Sequence, residues 1–140
     1  MTGKTDWIFK PAELDTFLSD KGHNALLGIR YHAHEPGWLE LELPFAARLT
    51  NNGALASGAI MTLMDNAAGS AIYLMRGGYL PQVTLDLRTD YVRPVLPGAS
   101  MICRTECFGI SGTTALTRGI AYQDTPDDPV CHVTATFMLL

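Results

Sequence analysis

The sequence predicts an α+β fold in which one antiparallel β-sheet wraps around a long central α-helix. Segment 55–78 repeats its apolar residues with helical periodicity, and four runs of alternating apolar and polar residues follow it. The connections between these runs are short, which favours antiparallel pairing. Because a sheet and an apolar helix can bury each other's hydrophobic faces, 140 residues suffice for a single domain, 1–140.

The chain is predicted to begin with a helical extension over residues 1–24. Within it, residues 11–20 suit a short helix that places Leu14, Phe17 and Leu18 on one apolar face. This helix should end near Gly22.

Two strands are predicted before the central helix. In the second strand, Glu40 and Glu42 alternate with three leucines, so we expect one side of that strand to face solvent. The predicted elements are strands at 26–34 and 38–43, a turn at 35–37 and a loop at 44–53.

The central helix is predicted to start with Ser57 as its N-cap and to stop at Gly77, after Arg76. The run 67–71 contains only small residues, which lets another backbone approach closely. The apolar arc of the whole helix consists of Ile60, Leu63, Met64, Ala67, Ala68, Ala71, Ile72 and Met75.

Asp65 is the residue of this helix that requires an explanation. It lies at the edge of the apolar arc, in a segment with no lysine or glutamate between Gly53 and Met75. A helix so poor in charge is expected to be enclosed on most sides. A surface acid and a partly desolvated catalytic carboxylate are both compatible with this position.

Beyond the helix the pattern changes to strands. Their long alternating runs and short connections predict one mainly antiparallel sheet. The predicted strands are 81–92, 99–108, 113–122 and 130–139, with connections at 109–112 and 123–129.

Composition excludes several classes of protein. The net charge of −4 argues against a broad nucleic-acid surface, and no apolar stretch reaches the length of a membrane span. The first ten residues lack the apolar core of a signal peptide. Three cysteines without paired spacing favour a reducing compartment, so we predict a cytoplasmic protein. From the net charge and the lack of a membrane-spanning stretch we predict neither nucleic-acid nor membrane partners.

Other candidate sites have simpler explanations. His32 and His34 share one strand face, but no third ligand is placed beside them, so we predict no metal site. Cys103 and Cys107 suit small buried positions. Ser57 is not in a nucleophile elbow, and the phosphate-binding glycine patterns are missing from the sequence.

Three features occur in a characteristic order. The helix carries TLMDNAAGSA at 62–71, the next strand carries TLDL at 84–87, and DYVRP at 90–94 precedes Pro-Gly at 97–98. Over residues 25–140 this order resembles the hotdog-fold acyl-CoA thioesterases of the PaaI-like (phenylacetyl-CoA thioesterase) group. The resemblance implies a hotdog fold, hydrolysis of a coenzyme A thioester without a further cofactor, and assembly into homodimers or homotetramers.

The resemblance also implies site residues. Asp65 matches the family's acid and would act as nucleophile or general base, and the hydroxyl of Thr84 would orient the water or this carboxylate. The family's Asn, five residues and His-Gly-Gly correspond here to Thr50 and to the segment Ala56-Ser57-Gly58. The backbone N–H groups of Ser57 and Gly58 would hold the thioester oxygen.

Three further residues are predicted to contact the substrate. Asn51 and Asn52 are one and two positions later than the family's asparagine and could take its role. Arg93 is the candidate for the coenzyme A phosphates, with a solvated strand-end arginine as the alternative.

Helix geometry constrains this site. Ser57 and Asp65 are eight residues apart, so they differ by about 12 Å along one helix. One thioester carbon cannot be reached by both from the same chain. If both act in one site, they come from different subunits.

Two other functions remain open from the sequence. A non-catalytic acyl-CoA-binding hotdog protein would explain the missing histidine. An enoyl-CoA hydratase or dehydratase would require a histidine beside the carboxylate, and no histidine is near Asp65 in the sequence.

Overall fold

The computed structural model describes residues 8–140. The part of the predicted N-terminal extension before residue 8 lies outside the described residues. The elements are a 3₁₀ turn (Pro11–Glu13), α1 (Leu14–Ser19), α2 (His23–Leu27), β1 (Arg30–Glu35), β2 (Trp38–Leu43), a 3₁₀ turn (Ala47–Leu49), β3 (Thr50–Asn51), β4 (Ala54–Leu55), α3 (Ser57–Arg76), β5 (Gln82–Tyr91), β6 (Met101–Ser111), β7 (Thr114–Tyr122) and β8 (Cys131–Leu139).

Six strands form one antiparallel sheet in the order β1-β2-β6-β7-β8-β5, and β3 and β4 form a separate hairpin. The helix α3 packs on one side of the sheet, with Leu39, Leu41 and Leu43 of β2 fully buried beneath it. The predicted α+β fold, an antiparallel sheet around a long helix, is therefore confirmed. Since β5 is the last strand of the order, one of its edges is unpaired within residues 8–140.

Small residues let α3 lie close to the sheet. The hydroxyl of Thr105 in β6 donates a hydrogen bond of 2.7 Å to the carbonyl of Ala67. Gln82, at the start of β5, donates a bond of 2.9 Å to the carbonyl of Gly69. A Cβ at Gly69 would lie 3.0 Å from the Gln82 amide nitrogen and 3.6 Å from Phe137. The small residues of segment 67–71 therefore allow the sheet to approach the helix closely.

The ends of α3 differ from the prediction at one side. Gly77 closes the helix in the left-handed conformation with φ of 73°, as expected. The N-cap is Ala56 rather than Ser57, and no side chain caps this end. Ser57 is instead the first helical residue.

Several predicted boundaries were wrong. The segment assigned to the start of the first strand forms α2, because Gly22 and Gly28 adopt positive φ on either side of it. The predicted loop at 44–53 contains a 3₁₀ turn and the first strand of the small hairpin. The segment 109–112 does not end β6, because a bulge after Cys107 lets the strand continue to Ser111.

Two side chains differ from their predicted environments. Phe17 remains 57% exposed, although Leu14 and Leu18 of the same helix are buried. Glu40 is only 3% exposed, so the side of β2 that was predicted to face solvent is buried at this position. No helix in the described part of the chain has the length and apolar character needed to span a membrane.

Candidate active site

Asp65 lies in the middle of α3 on the side that faces the start of β5. It is half-buried, and its Oδ1 accepts a hydrogen bond of 2.7 Å from the hydroxyl of Thr84. A bulge in β5 between Thr84 and Asp86 interrupts the register with β8 just beyond this contact. The structure thus brings together two of the residues that the sequence predicted to act together.

The Asp65 carboxylate opens into a cleft of about 550 Å³ between α2, α3 and β5. Its lining is mostly polar, and Met61 and Leu87 are its apolar members. The lining residues are His23, Asn24, Met61, Thr62, Asp65, Asn66, Thr84 and Leu87.

Side-chain hydrogen bonds hold α2 over this cleft. The amides of Asn24 and Asn66 donate to each other, at 2.8 and 2.9 Å, and Asn66 directly follows Asp65. Arg48 also donates a bond of 2.6 Å to the carbonyl of Leu26. These contacts place His23, the first residue of α2, in the wall of the cleft.

His23 is a candidate functional residue that sequence reasoning missed. It is separated from Asp65 by 42 positions and precedes a segment that was assigned to a strand. The available signal was the pair Gly22 and Gly28, whose spacing suits one short helix with a glycine at each end.

A second, smaller cavity of about 160 Å³ begins on the other side of Asp65. Its lining follows the small residues of α3 toward Tyr73, and Phe17 of α1 also contributes to it. The lining residues are Phe17, Leu18, Asp65, Asn66, Gly69, Ser70, Tyr73, Gln82 and Phe137. Asp65 and Asn66 therefore stand at the junction of a wide cleft and a narrow cavity.

Ser57 and Gly58 form the exposed first turn of α3. The amides of a first turn have no acceptor within their own helix, and the helix dipole favours negative charge beside them. A Cβ at Gly58 would meet no atom within 4 Å, so open space lies beside this turn. The turn is two helical turns away from Asp65, about 12 Å along the axis, and neither residue lines the cleft of that carboxylate.

The asparagines predicted to bind substrate belong to the β3–β4 hairpin. Asn51 pairs with Ala54, and Asn52 and Gly53 form the turn with φ of 54° and 82°. Both asparagines are exposed and lie outside the lining of the Asp65 cleft. Thr50 uses its hydroxyl to bind the carbonyl of Ala47 at 2.8 Å.

Arg93 follows the end of β5. Its guanidinium donates a bond of 3.0 Å to the backbone carbonyl of Asp128, and its Nε lies 3.3 Å from the Asp128 carboxylate. The structure does not bring Arg93 to the lining of the Asp65 cleft.

The two histidines of β1 have structural partners. His32 contacts Glu40 at 3.3 Å, and His34 contacts the hydroxyl of Tyr31 at 2.7 Å. Within residues 8–140, no group of three or more His, Cys, Asp or Glu side chains is arranged to hold a metal ion.

All three cysteines are poor candidates for a nucleophile. Cys103 and Cys131 are buried, and burial raises the pKa of Cys131 to about 11. Burial also raises the pKa of the Cys103 and Cys107 thiols. These thiols stay protonated near neutral pH, whereas a nucleophilic cysteine needs its thiolate.

Comparison with known proteins identifies the family. Residues 52–130 match the family model of the thioesterase superfamily, which is more than half of the chain. This chain therefore belongs to the thioesterase superfamily and has its hotdog fold, which confirms the resemblance predicted from the helix and strand motifs.

Solved structures agree with this assignment. A Pseudomonas aeruginosa protein is 34% identical, with a TM-score of 0.84 over 94% of this chain and 100% of that one. A mutant of the phenylacetic acid degradation protein PaaI from Thermus thermophilus is 27% identical, with a TM-score of 0.71 over 83% and 96% of the two chains. A Haemophilus influenzae thioesterase is 20% identical and shares the fold, with a TM-score of 0.83 over 94% and 91%.

Proposed function

We propose that this protein is an acyl-CoA thioesterase that hydrolyses its substrate to a free acid and coenzyme A. The observation that carries the proposal is the Asp65 carboxylate, which Thr84 holds at 2.7 Å at the junction of two cavities. A carboxylate that is positioned by a hydrogen bond to one oxygen and lines a cleft suits a general base or a nucleophile. Superfamily membership supports the same reaction class.

In this proposal Thr84 fixes the orientation of the carboxylate. Its hydroxyl donates to Oδ1, so Oδ2 is the oxygen available to a water or to the thioester carbon. The reaction also needs donors for the oxygen of the tetrahedral intermediate. The first-turn N–H groups of Ser57 and Gly58 are suited to this role but are too distant from Asp65 in the same chain.

We therefore propose a homodimer in which Asp65 of one subunit faces Ser57 and Gly58 of a second copy. The unpaired edge of β5 is the surface that supports this assembly, because an exposed strand edge is a template for pairing. Large apolar side chains remain exposed along and just after β5, namely Val83, Leu85, Tyr91 and Val92. Pairs of dimers would give the homotetramer of the related proteins.

The two cavities suggest how a thioester would lie. The narrow cavity of about 160 Å³ suits the acyl group, and a cavity of about 150 Å³ is known to hold a benzene ring. We infer a short or single-ring acyl group rather than a long chain. The wide cleft would then receive the coenzyme A arm, and Arg93, Asn51 and Asn52 remain the proposed contacts for its more distant parts.

A substrate panel tests this function. Thiol release is measured with acetyl-, hexanoyl-, phenylacetyl- and palmitoyl-CoA, and sedimentation gives the oligomeric state at assay concentration. We expect turnover of the short and aromatic substrates by a dimer or tetramer. Tight binding without turnover would instead favour the non-catalytic acyl-CoA-binding protein, and activity in a monomer would contradict the shared site.

A second candidate function has one observation in its favour. His23 lines the cleft of Asp65, so the histidine and carboxylate that a hydratase or dehydratase requires are both present. Crotonyl-CoA separates the two reactions, since hydration removes its conjugated double bond while hydrolysis releases a thiol.

The cytosol is our proposed compartment, because the three cysteines are unpaired and two of them are buried as thiols.

A further inference from the structure

The wide cleft contains an acid–base pair that the chain brings together from distant segments. Among the described residues, eight line the cleft, and of these only His23 and Asp65 carry ionisable side chains. Asp65 on α3 accepts a hydrogen bond from Thr84 of β5, while His23 is an exposed residue at the start of α2. The two groups therefore face the same space from different elements.

The position of His23 is defined by hydrogen bonds on the neighbouring residue. Asn24 and Asn66 satisfy each other's amides at 2.8 and 2.9 Å, and Asn66 donates a second bond of 2.8 Å to the carbonyl of Thr62. This pairing connects the residue after His23 to the residue after Asp65. The amide pair thus fixes the backbone beside His23 relative to the backbone beside Asp65, while the imidazole itself is exposed.

Hydrolysis of a thioester has a second proton requirement besides activation of water. When the C–S bond breaks, the departing sulfur carries negative charge, and a donor in the cleft can neutralise it as it forms. We propose that His23 is this donor, a catalytic general acid that protonates the leaving sulfur while Asp65 serves the attacking water. This inference rests on the proposed thioester hydrolysis.

The proposed steps balance. Water attacks the thioester carbon, a C–O bond forms, and Asp65 accepts the proton of the water. The tetrahedral intermediate then collapses, the C–S bond breaks, and the sulfur takes a proton from the His23 imidazolium. The proton held by Asp65 passes to solvent and the imidazole regains one from solvent, so the products are the carboxylic acid and a free thiol.

The test uses leaving groups of different acidity on one acyl group. Thioesters of N-acetylcysteamine and of 4-nitrothiophenol are assayed with wild type and His23→Gln. The first leaving group has an ordinary thiol and benefits from a proton donor, whereas the nitrothiophenolate is stable without one. We expect kcat to fall by about 10²-fold for the first substrate, the lower end for general acid–base catalysis, and by less than about threefold for the second.

A matched control is His132→Gln, because His132 is an exposed histidine whose side chain lies outside the cleft lining. It should leave both rates unchanged. Asn24→Ala removes the amide pair and should weaken hydrolysis of the N-acetylcysteamine thioester selectively, while His23 itself is retained.

The outcomes separate this inference from the proposed function. Equal losses on both substrates, or no loss on either, would overturn a general acid at His23 while leaving thioester hydrolysis intact. Failure of the wild-type protein to hydrolyse either thioester or any acyl-CoA would overturn the proposed function, and His23 as its acid with it. Circular dichroism of the variants establishes that they are folded.

Discussion

Asp65 and Glu40 are two partly or fully buried carboxylates with opposite surroundings. Glu40 has three side-chain partners, because Arg104 donates to Oε2 at 3.2 Å, the hydroxyl of Tyr122 donates to the same oxygen, and His32 contacts Oε1 at 3.3 Å. Within residues 8–140, Asp65 accepts a single side-chain bond, from Thr84, and it lines two cavities.

The partners of Glu40 are themselves fixed. The guanidinium of Arg104 lies 4.0 Å from the centre of the Trp38 ring, and Glu40 and Arg104 are directly paired across β2 and β6. Such a network stabilises the sheet and occupies most of the acceptor capacity of Glu40. The contrast teaches that burial and charge pairing do not mark the proposed catalytic carboxylate in this protein, whereas unused bonding capacity beside a cavity supports the role proposed for Asp65.

The largest expected effect comes from Asp65→Asn. The amide can still accept the Thr84 hydrogen bond but cannot take a proton or attack carbon, so we expect kcat to fall by about 10²- to 10⁴-fold. The melting temperature and assembly should stay near wild type. Thiol-release kinetics and thermal unfolding measure the two, and full turnover would remove Asp65 from the mechanism.

The Ser57 variants test whether the proposed oxyanion donor at this residue is its backbone N–H rather than its hydroxyl. Because Ala56 is the N-cap, Ser57→Ala removes no cap and keeps the N–H, so activity should stay within a few-fold of wild type. Ser57→Pro removes the N–H at a position where proline is tolerated. The loss of one oxyanion donor predicts a decrease in kcat of about 10²-fold.

The two Ser57 results are interpreted together with sedimentation. The proline variant should assemble normally, which distinguishes a lost donor from a lost interface. An inactive but folded Ser57→Ala protein would show that the hydroxyl takes part in the chemistry.

Glu40→Gln is the structural counterpart of Asp65→Asn. The substitution replaces a buried acceptor of charged bonds by an amide, and we expect the free energy of unfolding to fall by about 1.5–3 kcal/mol. The lower end is favoured because Arg104 is 33% exposed and water can solvate it. Urea unfolding measures this loss, while kcat per folded molecule should not change. A catalytic defect without destabilisation would reverse the comparison.

The smallest effect concerns pH. Burial, and then the hydrogen bond to Glu40, raise the pKa of Tyr122 above its ordinary value. An unfolded tyrosine ionises near pH 10, so above about pH 10 the unfolded state binds fewer protons and stability falls as pH rises. Tyr122→Phe should make this decline shallower between pH 10 and 11 in urea unfolding. An unchanged slope would show that Tyr122 makes no such contribution.

Features encoded by local periodicity were predicted well from the sequence. The sequence predicted the helix around Asp65, its left-handed end at Gly77 and the strands after it. The spacing of apolar residues that predicts each of them is visible within about ten consecutive residues. Predictions were wrong where a competing local signal was overlooked. The glycines that bound α2 and the bulge that extends β6 to Ser111 are examples.

The site was predicted in part. Asp65 and Thr84 were expected to act together and are in contact across 19 positions, while the roles of Ser57, Gly58, Asn51, Asn52 and Arg93 remain predictions. His23 could not be placed, because nothing in its own segment shows that the Asn24 amide finds Asn66.

By itself, the sequence determined a long apolar helix with one acid at its edge, small residues for close packing and strands for an antiparallel sheet, because such patterns depend only on neighbouring residues. Only the tertiary structure decided that Glu40 is enclosed by hydrogen-bond partners while Asp65 lines two cavities. Glu40 alternates with leucines like an exposed residue, yet Arg104 and Tyr122 from other strands enclose it. Burial and hydrogen-bond partners depend on which elements become neighbours in space, and the sheet order and the docking of α2 set those neighbours.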